Sequence, residues 1–301
     1  MIERSKHQVL NTFYLKLIAV FTMTLDHIAM MMIYFMLNGE INLDLPLGKL
    51  TFAFKIIGRI SLPLFAICFA EAMRYSKDRK LYIQKMFLMS MIIMIPEILL
   101  KYIPQLKMNS NQFDNIFLLF LASSTFIYFI EMKNNKKLLC IIPAIYIVIV
   151  TIFDILMVNN SRLVVPGFIH PQYTLLGFLL FVGFYFIYKL SDERVESLAK
   201  NTGKSLEDLR KSAYYRSFTN ILWSAYLFLL TIFCWLLVII NPKYFDLYQI
   251  QLQSWAPLAI IFILLYNGYE GIKNNKIKLG FYLYYPLHLL IIFIPFFVLF
   301  H

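Results

Sequence analysis

Charged residues are scarce in this sequence, and their scarcity indicates the class of protein. Only 15% of the 301 residues are Asp, Glu, Lys or Arg, while 60% are hydrophobic. A soluble domain usually contains about 25% charged residues. The composition therefore excludes an ordinary soluble domain and predicts an integral membrane protein.

Several motifs that mark other chemistries are absent. The three cysteines lie in apolar runs without a CxxC spacing, so we expect small core residues rather than a disulfide framework. There is no GxSxG motif of a serine hydrolase and no HxxxH spacing of a metal site, so no bound metal is expected. The first apolar run, residues 13–37, is too long for a signal peptide and lacks a small-residue cleavage site, which predicts a spanning helix.

Long apolar runs are abundant and predict an all-α, polytopic bundle of membrane helices. We treat residues 1–301 as a single multi-pass domain with about nine transmembrane helices, each from a run of roughly 18 or more residues. The runs lie near residues 13–37, 52–74, 82–103, 114–131, 138–158, 172–189, 220–240, 254–270 and 281–300.

Basic residues are distributed unevenly between the connecting segments. If the N-terminus is cytoplasmic, 19 Lys and Arg residues fall in or beside the cytoplasmic segments and five in the external ones. The positive-inside rule then predicts a cell-membrane protein with a cytoplasmic N-terminus and an external C-terminus. The net charge of +11 follows from this bias and from contact with anionic lipid. Because the charge is spread over short loops, we expect no nucleic-acid partner.

One polar segment, residues 190–219, is much longer than the other predicted cytoplasmic loops. Within it, Ser205 and Asp208 form a capping-box pattern, followed by apolar residues at helical spacing. The pattern predicts either an amphipathic helix on the inner membrane surface or a solvated spacer.

Ionisable residues inside the predicted spans are the main functional signal. Asp26 and His27 lie within the first span, where a carboxylate at the helix centre costs about 2.5–3.5 kcal/mol on insertion scales. Lys16 precedes His27 by eleven residues, which puts both on one helix face, about 16.5 Å apart along the axis. The pair is therefore either satisfied by other protein groups or chemically active.

The second and last spans carry possible partners. On an antiparallel second helix, Arg59 reaches the depth of Asp26, and Glu71 reaches that of Lys16. These two ion pairs could be packing contacts or parts of a site. The last span contains His288, with Tyr284 one turn before it on the same face. Two further acidic residues, Glu97 and Asp154, lie deep enough in their spans to be functional candidates.

The motifs at both ends of the chain resemble those of the TraX family, conjugal-transfer proteins that acetylate the pilin N-terminus. The resemblance covers about residues 12–300. It rests on Lys16-Leu-Ile-Ala19, Met23-Thr-Leu-Asp26-His27, Arg59-Ile-Ser-Leu-Pro63-Leu-Phe65-Ala running to Glu71-Ala, Asn115-Ile-Phe and Tyr284-Tyr285-Pro286-Leu287-His288-Leu289-Leu290. The same spacing is similar to that of the acyltransferase-3-type membrane acyltransferases, which open with a basic residue and a His and close with a Tyr-x-x-His span.

This resemblance implies an acyltransferase with acetyl-CoA, or another acyl-CoA, as co-substrate. His27 would be the catalytic base, with Asp26 raising its basicity and Arg59 or a tyrosine stabilising the oxyanion. The implied catalytic residues are His27, Asp26, Arg59 and His288, and those binding the co-substrate are Lys16, Glu71, Arg74, Tyr284 and Tyr285. The acceptor would be a pilin-like peptide, a glycan or a lipid.

Two other classes of function remain open. Intramembrane Asp, Glu, His and Arg also build proton relays in transporters and flippases. The sequence shows no internal repeat and no matching pair of broken helices, features of many transporters. A non-catalytic membrane assembly factor is the third possibility.

Overall fold

A computed structural model describes residues 7–37, 45–101, 115–133, 135–157, 165–166, 169–240, 253–272 and 274–300. Within these ranges the regular structure is helical, and the only β pairing is an isolated parallel bridge between Leu10 and Tyr266. The all-α prediction is thus confirmed for the part of the chain that is described.

The described residues form eleven α-helices and two 3₁₀ helices, Asn135–Cys140 and Ala256–Ala259. The α-helices are α1 (Thr12–Leu37), α2 (Leu45–Gly58), α3 (Ser61–Tyr75), α4 (Arg79–Lys101), α5 (Ile116–Ile130), α6 (Ile141–Met157), α7 (Thr174–Thr202), α8 (Leu206–Arg210), α9 (Ala213–Ile240), α10 (Ile260–Leu264) and α11 (Asn275–Phe300).

Six helical segments among the described residues are long and apolar enough to cross a membrane. They are Thr12–Met36, Pro46–Tyr75, Asn135–Leu156, Thr174–Thr202, Ala213–Ile240 and Leu279–Phe296. Their surfaces expose large apolar side chains, such as Ile142 at 64% and Ile239 at 70%, which suits contact with lipid rather than water. The chain is therefore a multi-pass membrane protein.

The other three predicted runs are not among these six segments. The run at 82–103 falls on α4, which is 23 residues long, and the run at 114–131 falls on α5, a shorter apolar helix of 15 residues. Neither is among the six segments, so the count of nine stays a prediction.

The run at residues 254–270 is not one continuous helix. After α10 the chain extends, and the backbone N–H of Asn267 donates to the carbonyl of Leu10 over 2.8 Å. Gly268 and Gly271 then adopt positive φ angles of 78° and 80°, a region that favours glycine and does not continue a helix. Pairing with the segment before α1 therefore replaces the predicted helical end.

The chain forms two compact units. The first comprises the described residues of Met1–Cys68, Ile187–Trp235 and Tyr248–His301, and the second those of Phe69–Phe186 and Leu236–Leu247. In the second unit, Phe69, Phe120 and Phe181 pack with ring centroids 4.8–5.8 Å apart. Arg79 fixes the end of α5 there, because it donates hydrogen bonds to Glu131 and to the Tyr185 hydroxyl.

Two helix pairs organise the first unit around α1. Asp26 meets Arg59, and further along α1 Met32 meets Thr51, so α2 and α1 run antiparallel. α11 runs parallel to α1, because the residue numbers on both helices increase together from one contact to the next. These contacts join Lys16 to Phe281, His27 to His288 and Phe35 to Phe296.

The polar segment at 190–219 is largely helical. α7 continues to Thr202, and α8, which follows the capping-box pattern, spans only Leu206–Arg210. Ser205 is the N-cap residue, but its side chain makes no capping hydrogen bond. Lys211 donates to Glu207, and this hydrogen bond lowers the pKa of the exposed Glu207 carboxyl. The cytoplasmic position of this segment stays a prediction.

Candidate functional site

Two buried histidine rings from opposite ends of the chain contact each other directly. His27 on α1 and His288 on α11 are 6% and 2% exposed. His27 Nδ1 lies 2.9 Å from His288 Nε2, and His288 Nδ1 lies 3.0 Å from the carbonyl oxygen of Tyr284. No described residue hydrogen-bonds to His27 Nε2, which is also not among the fully enclosed polar atoms that lack a partner. This nitrogen is therefore without a hydrogen-bond partner among the described residues and not fully enclosed.

Two aromatic rings of α11 pack against the histidine pair. The Tyr284 ring stacks on His288 with centroids 5.0 Å apart and planes 5° apart. The Tyr285 ring meets His288 and His27 edge-on, at 5.3 and 6.4 Å. The Tyr284 hydroxyl lies 2.5 Å from Thr24 Oγ1 on α1. Since Thr24 donates its one hydroxyl hydrogen to the carbonyl of Val20, Tyr284 is the donor in this contact.

Asp26, the residue before His27 on α1, is the centre of an ion cluster with Arg59 and Lys55. Asp26 Oδ1 accepts a hydrogen bond from Arg59 Nη2 and lies 3.3 Å from Lys55 Nζ. All three side chains are at most 10% exposed. Buried charges of this kind are stabilised only when they are paired, and the predicted match between Asp26 and Arg59 forms.

Gly58, at the end of α2, allows this close approach of the helices. A Cβ atom at this position would lie 2.4 Å from Asp26 Cβ and 2.7 Å from its Oδ1. These distances are far below van der Waals contact, and Cβ cannot swing away as a side-chain tip can. The glycine therefore fixes how near Asp26 and the two cations come.

Asp26 meets a different helix from the one that contacts His27, and its predicted effect on the basicity of His27 stays a prediction. In the described part of the chain the Asp26 carboxylate contacts Arg59 and Lys55, and the partner of His27 is His288. The physical reason is helix geometry, because adjacent residues project about 100° apart and so face different neighbours. The support for the imidazole comes from α11.

The expected co-substrate residues are placed in different parts of the chain. Lys16 is half-buried, with its Nζ 5.8 Å from the Phe281 ring centroid, and Tyr284 and Tyr285 contact the histidine pair. Glu71 and Arg74 lie on α3 within the second unit, where the Arg74 guanidinium covers the Tyr75 ring at 5.2 Å. The pairing of Lys16 with Glu71 stays a prediction.

Sequence reasoning did not assign Lys55 and Thr24 to the site. For Lys55 a signal existed, because it lies four residues before Arg59 and so shares its helix face. For Thr24 no signal existed, because its partner Tyr284 is 260 residues away.

The other two acidic candidates lie in the second unit. Asp154 pairs with His170 over 2.8 Å, a partner that the sequence analysis did not identify. The side chain of Glu97 lies outside the described residues. No group of three or more His, Cys, Asp or Glu side chains among the described residues could hold a metal ion.

The fold and the site define a multi-pass, all-helical membrane protein with a buried polar centre at α1, α2 and α11. The family profile described as TraX protein matches residues 12–200. Because this match covers more than half of the chain, the chain belongs to the TraX family. No curated protein and no solved structure gives a significant match.

Proposed function

We propose that this protein is a membrane-embedded acyltransferase that moves an acetyl or other short acyl group from cytoplasmic acyl-CoA to an amine or hydroxyl acceptor. The observation that carries the proposal is the His27 ring, whose Nδ1 is held by His288 while Nε2 has no hydrogen-bond partner among the described residues and is not fully enclosed. A neutral imidazole with one free nitrogen is suited to act as a general base. Membership of the TraX family supports the same chemistry.

In the proposed reaction, His27 removes a proton from the acceptor N–H or O–H while the acceptor attacks the thioester carbonyl. The tetrahedral intermediate then collapses, the C–S bond breaks, and the proton passes from His27 to the departing thiolate. The products are the acylated acceptor and free CoA, so atoms and charge balance.

Positive charge near His27 suits the negative charge that develops on the thioester oxygen. Arg59 and Lys55 are both held by Asp26, the residue next to His27 in the chain. Preorganised cations in a site with little water stabilise an oxyanion strongly. We assign Asp26 to holding these cations, and Arg59 to the oxyanion.

The acyl-CoA would enter from the end of α1 that carries Lys16. CoA phosphates favour basic side chains, and Lys16 lies about 16.5 Å along the helix axis from His27. From Phe281 near Lys16 to His288 near His27, α11 runs beside this face of α1. Tyr284 and Tyr285 would line the end of the route next to His27.

The topology of nine crossings with a cytoplasmic N-terminus is part of the proposal. The parallel course of α1 and α11 supports it, because parallel first and last spans place the chain ends on opposite faces. Opposite faces require an odd number of crossings, and the six long segments alone are even in number. At least one more apolar segment, such as α4, would then cross. The resemblance to acyltransferase-3-type enzymes fits this arrangement.

The test uses membranes that contain the full-length protein, acetyl-CoA labelled in the acetyl group, and an extract of cells lacking the protein. Wild-type protein is expected to transfer label to an acceptor, and His27→Ala is expected to abolish the transfer. His7→Ala is the matched control, because His7 is exposed and should retain full transfer. Equal labelling with His27→Ala, at normal protein level and thermal stability, would contradict the proposal.

The same membranes separate the enzyme from a transporter. A flux driven by a pH gradient, with no covalent label in any acceptor, would replace the enzyme with a proton-coupled transporter or flippase. If label is transferred, comparing intact masses of pilin-like peptides, glycans and lipids from cells with and without the protein identifies the acceptor.

A further inference from the structure

The hydrogen-bond partners of the histidine pair determine where its protons lie. The carbonyl oxygen of Tyr284 can only accept, so the contact of 3.0 Å with His288 Nδ1 requires a hydrogen on Nδ1. Both rings are buried, and burial disfavours a charged imidazole. A neutral His288 therefore has a lone pair, and no hydrogen, on Nε2.

This assignment propagates to the second ring. His288 Nε2 and His27 Nδ1 are 2.9 Å apart, and one of the two nitrogens must donate. Since His288 Nε2 has no hydrogen, His27 Nδ1 carries it. A neutral His27 then has its lone pair on Nε2, the nitrogen without a hydrogen-bond partner among the described residues.

We propose that His288 is a positioning residue that holds His27 in the Nδ1–H tautomer and so makes Nε2 the basic nitrogen. The tautomer follows from the hydrogen-bond geometry, whereas its role in catalysis rests on the proposed acyl transfer. His288 takes the place that a carboxylate occupies in a catalytic triad, where the partner of the base selects the ring tautomer and orientation. Tyr284 supports His288 twice, through its carbonyl and through the stacked ring.

The proposal assigns each proton in the reaction. Nε2 of His27 takes the acceptor proton, which turns the ring into an imidazolium while Nδ1–H still donates to His288. The same proton leaves Nε2 for the thiolate of CoA, which restores the neutral tautomer. His288 therefore keeps its own Nδ1 proton throughout the cycle.

The direct test reads the ring nitrogens rather than the activity. Full-length protein is prepared with ¹⁵N-labelled histidine in lipid nanodiscs, and the His27 signals are assigned by their loss in His27→Asn. Protonated and lone-pair ring nitrogens differ widely in ¹⁵N chemical shift. We expect a protonated Nδ1 and an unprotonated Nε2 on His27 in the wild-type protein, and the opposite assignment would overturn the proposal.

Two variants at His288 add a contrast that a packing role would not produce. His288→Gln places an amide oxygen near the position of Nε2 and keeps an acceptor for His27 Nδ1–H, whereas His288→Phe fills the space without an acceptor. We expect His288→Gln to keep the tautomer and to retain acyl transfer within about tenfold. His288→Phe should release the tautomer and lose on the order of 10²-fold in kcat, part of the general-base contribution.

The two proposals fail in different ways. If acyl transfer is absent but the nitrogen shifts show the Nδ1–H form, the proposed function fails while the assignment of His288 stands. If transfer depends on His27 but His288→Phe leaves the tautomer and kcat unchanged, the role of His288 fails alone. Should His288→Phe not fold, the wild-type shifts and His288→Gln still decide the question.

Discussion

The histidine pair and the surroundings of Arg216 on α9 are both buried polar centres of the first unit, but they differ in the partners of their polar atoms. The Arg216 guanidinium donates to the Tyr188 hydroxyl over 2.8 Å. The rings of Tyr188, Trp223 and Tyr266 surround it, with centroids 4.9–6.0 Å from Cζ. Gly268 closes the remaining side, where a Cβ would lie 2.2 Å from the guanidinium.

The difference separates a polar group that holds the fold from one that can react. The Arg216 guanidinium is held by the Tyr188 hydroxyl and by three aromatic rings, and arginine does not change its charge near neutral pH. His27 is equally buried but keeps one nitrogen without a partner among the described residues. Burial of a polar residue therefore does not by itself indicate function, whereas an accessible lone pair on a fixed ring does.

Full enclosure also matters. Asn220 Oδ1 and Ser224 Oγ on α9 have no hydrogen-bond partner among the described residues, yet both atoms are fully enclosed. A substrate cannot reach them, and a buried water is the usual occupant of such positions. His27 Nε2 differs because it has no partner among the described residues and is not fully enclosed.

Removing the His27 or the Arg216 side chain gives the largest predicted effect. His27→Ala should lower kcat/KM for acyl transfer, per folded molecule, by about 10²–10⁴-fold, the range for removal of a general base. Arg216→Ala should show the reverse, a loss of stability with transfer retained per folded molecule. Labelled transfer and thermal unfolding, measured on the same preparations, check both. A stability loss shared equally by both variants would remove the distinction.

The ion cluster should show the next largest effect, on stability. Asp26→Ala leaves Arg59 and Lys55 buried without their shared carboxylate, and we expect a loss of about 3–5 kcal/mol in the free energy of unfolding. Lys55→Met is the matched control, because the pair of Asp26 and Arg59 remains and the swap roughly conserves volume, at a cost below about 1.5 kcal/mol. Denaturant unfolding in detergent measures both, and equal losses would contradict the shared role of Asp26.

Conservative replacement of Arg216 should cost less. Arg216→Lys keeps the charge but loses the planar group that donates to Tyr188 while contacting three rings. The expected loss is about 1.5–3 kcal/mol, the value for a hydrogen bond to a charged group. The measurement is again unfolding in detergent, with acyl transfer unchanged at temperatures where the variant is folded. Wild-type stability would show that the enclosure of Arg216 contributes nothing.

The smallest predicted effect concerns the hydrogen bond from the Tyr284 hydroxyl to Thr24. Tyr284→Phe removes the donor to Thr24 but keeps the ring stacked on His288 and the backbone carbonyl that binds it. We expect about 0.5–1.5 kcal/mol of stability to be lost and the His27 tautomer to stay as in the wild type. Thermal unfolding and ¹⁵N shifts measure the two effects separately. A changed tautomer would move the positioning role from the carbonyl to the hydroxyl.

Much of the fold followed from local sequence properties. Six of the predicted runs coincide with long apolar helices, because the length of an apolar run directly sets whether a helix can span lipid. Run length failed at residues 254–270, where glycines with positive φ and backbone pairing with Leu10 end the helix. Such pairing depends on a segment more than 250 residues away, which no local window contains.

The sequence by itself determined the membrane class and the pairing of Asp26 with Arg59. Position along a helix converts into depth at a fixed rise per residue, so charges on antiparallel neighbours can be matched by counting. Only the tertiary structure decided that His27 meets His288 rather than Asp26, and that Nε2 is the nitrogen left open. The direction in which each side chain faces depends on which helices pack together and at what rotation, and these are properties of the assembled bundle.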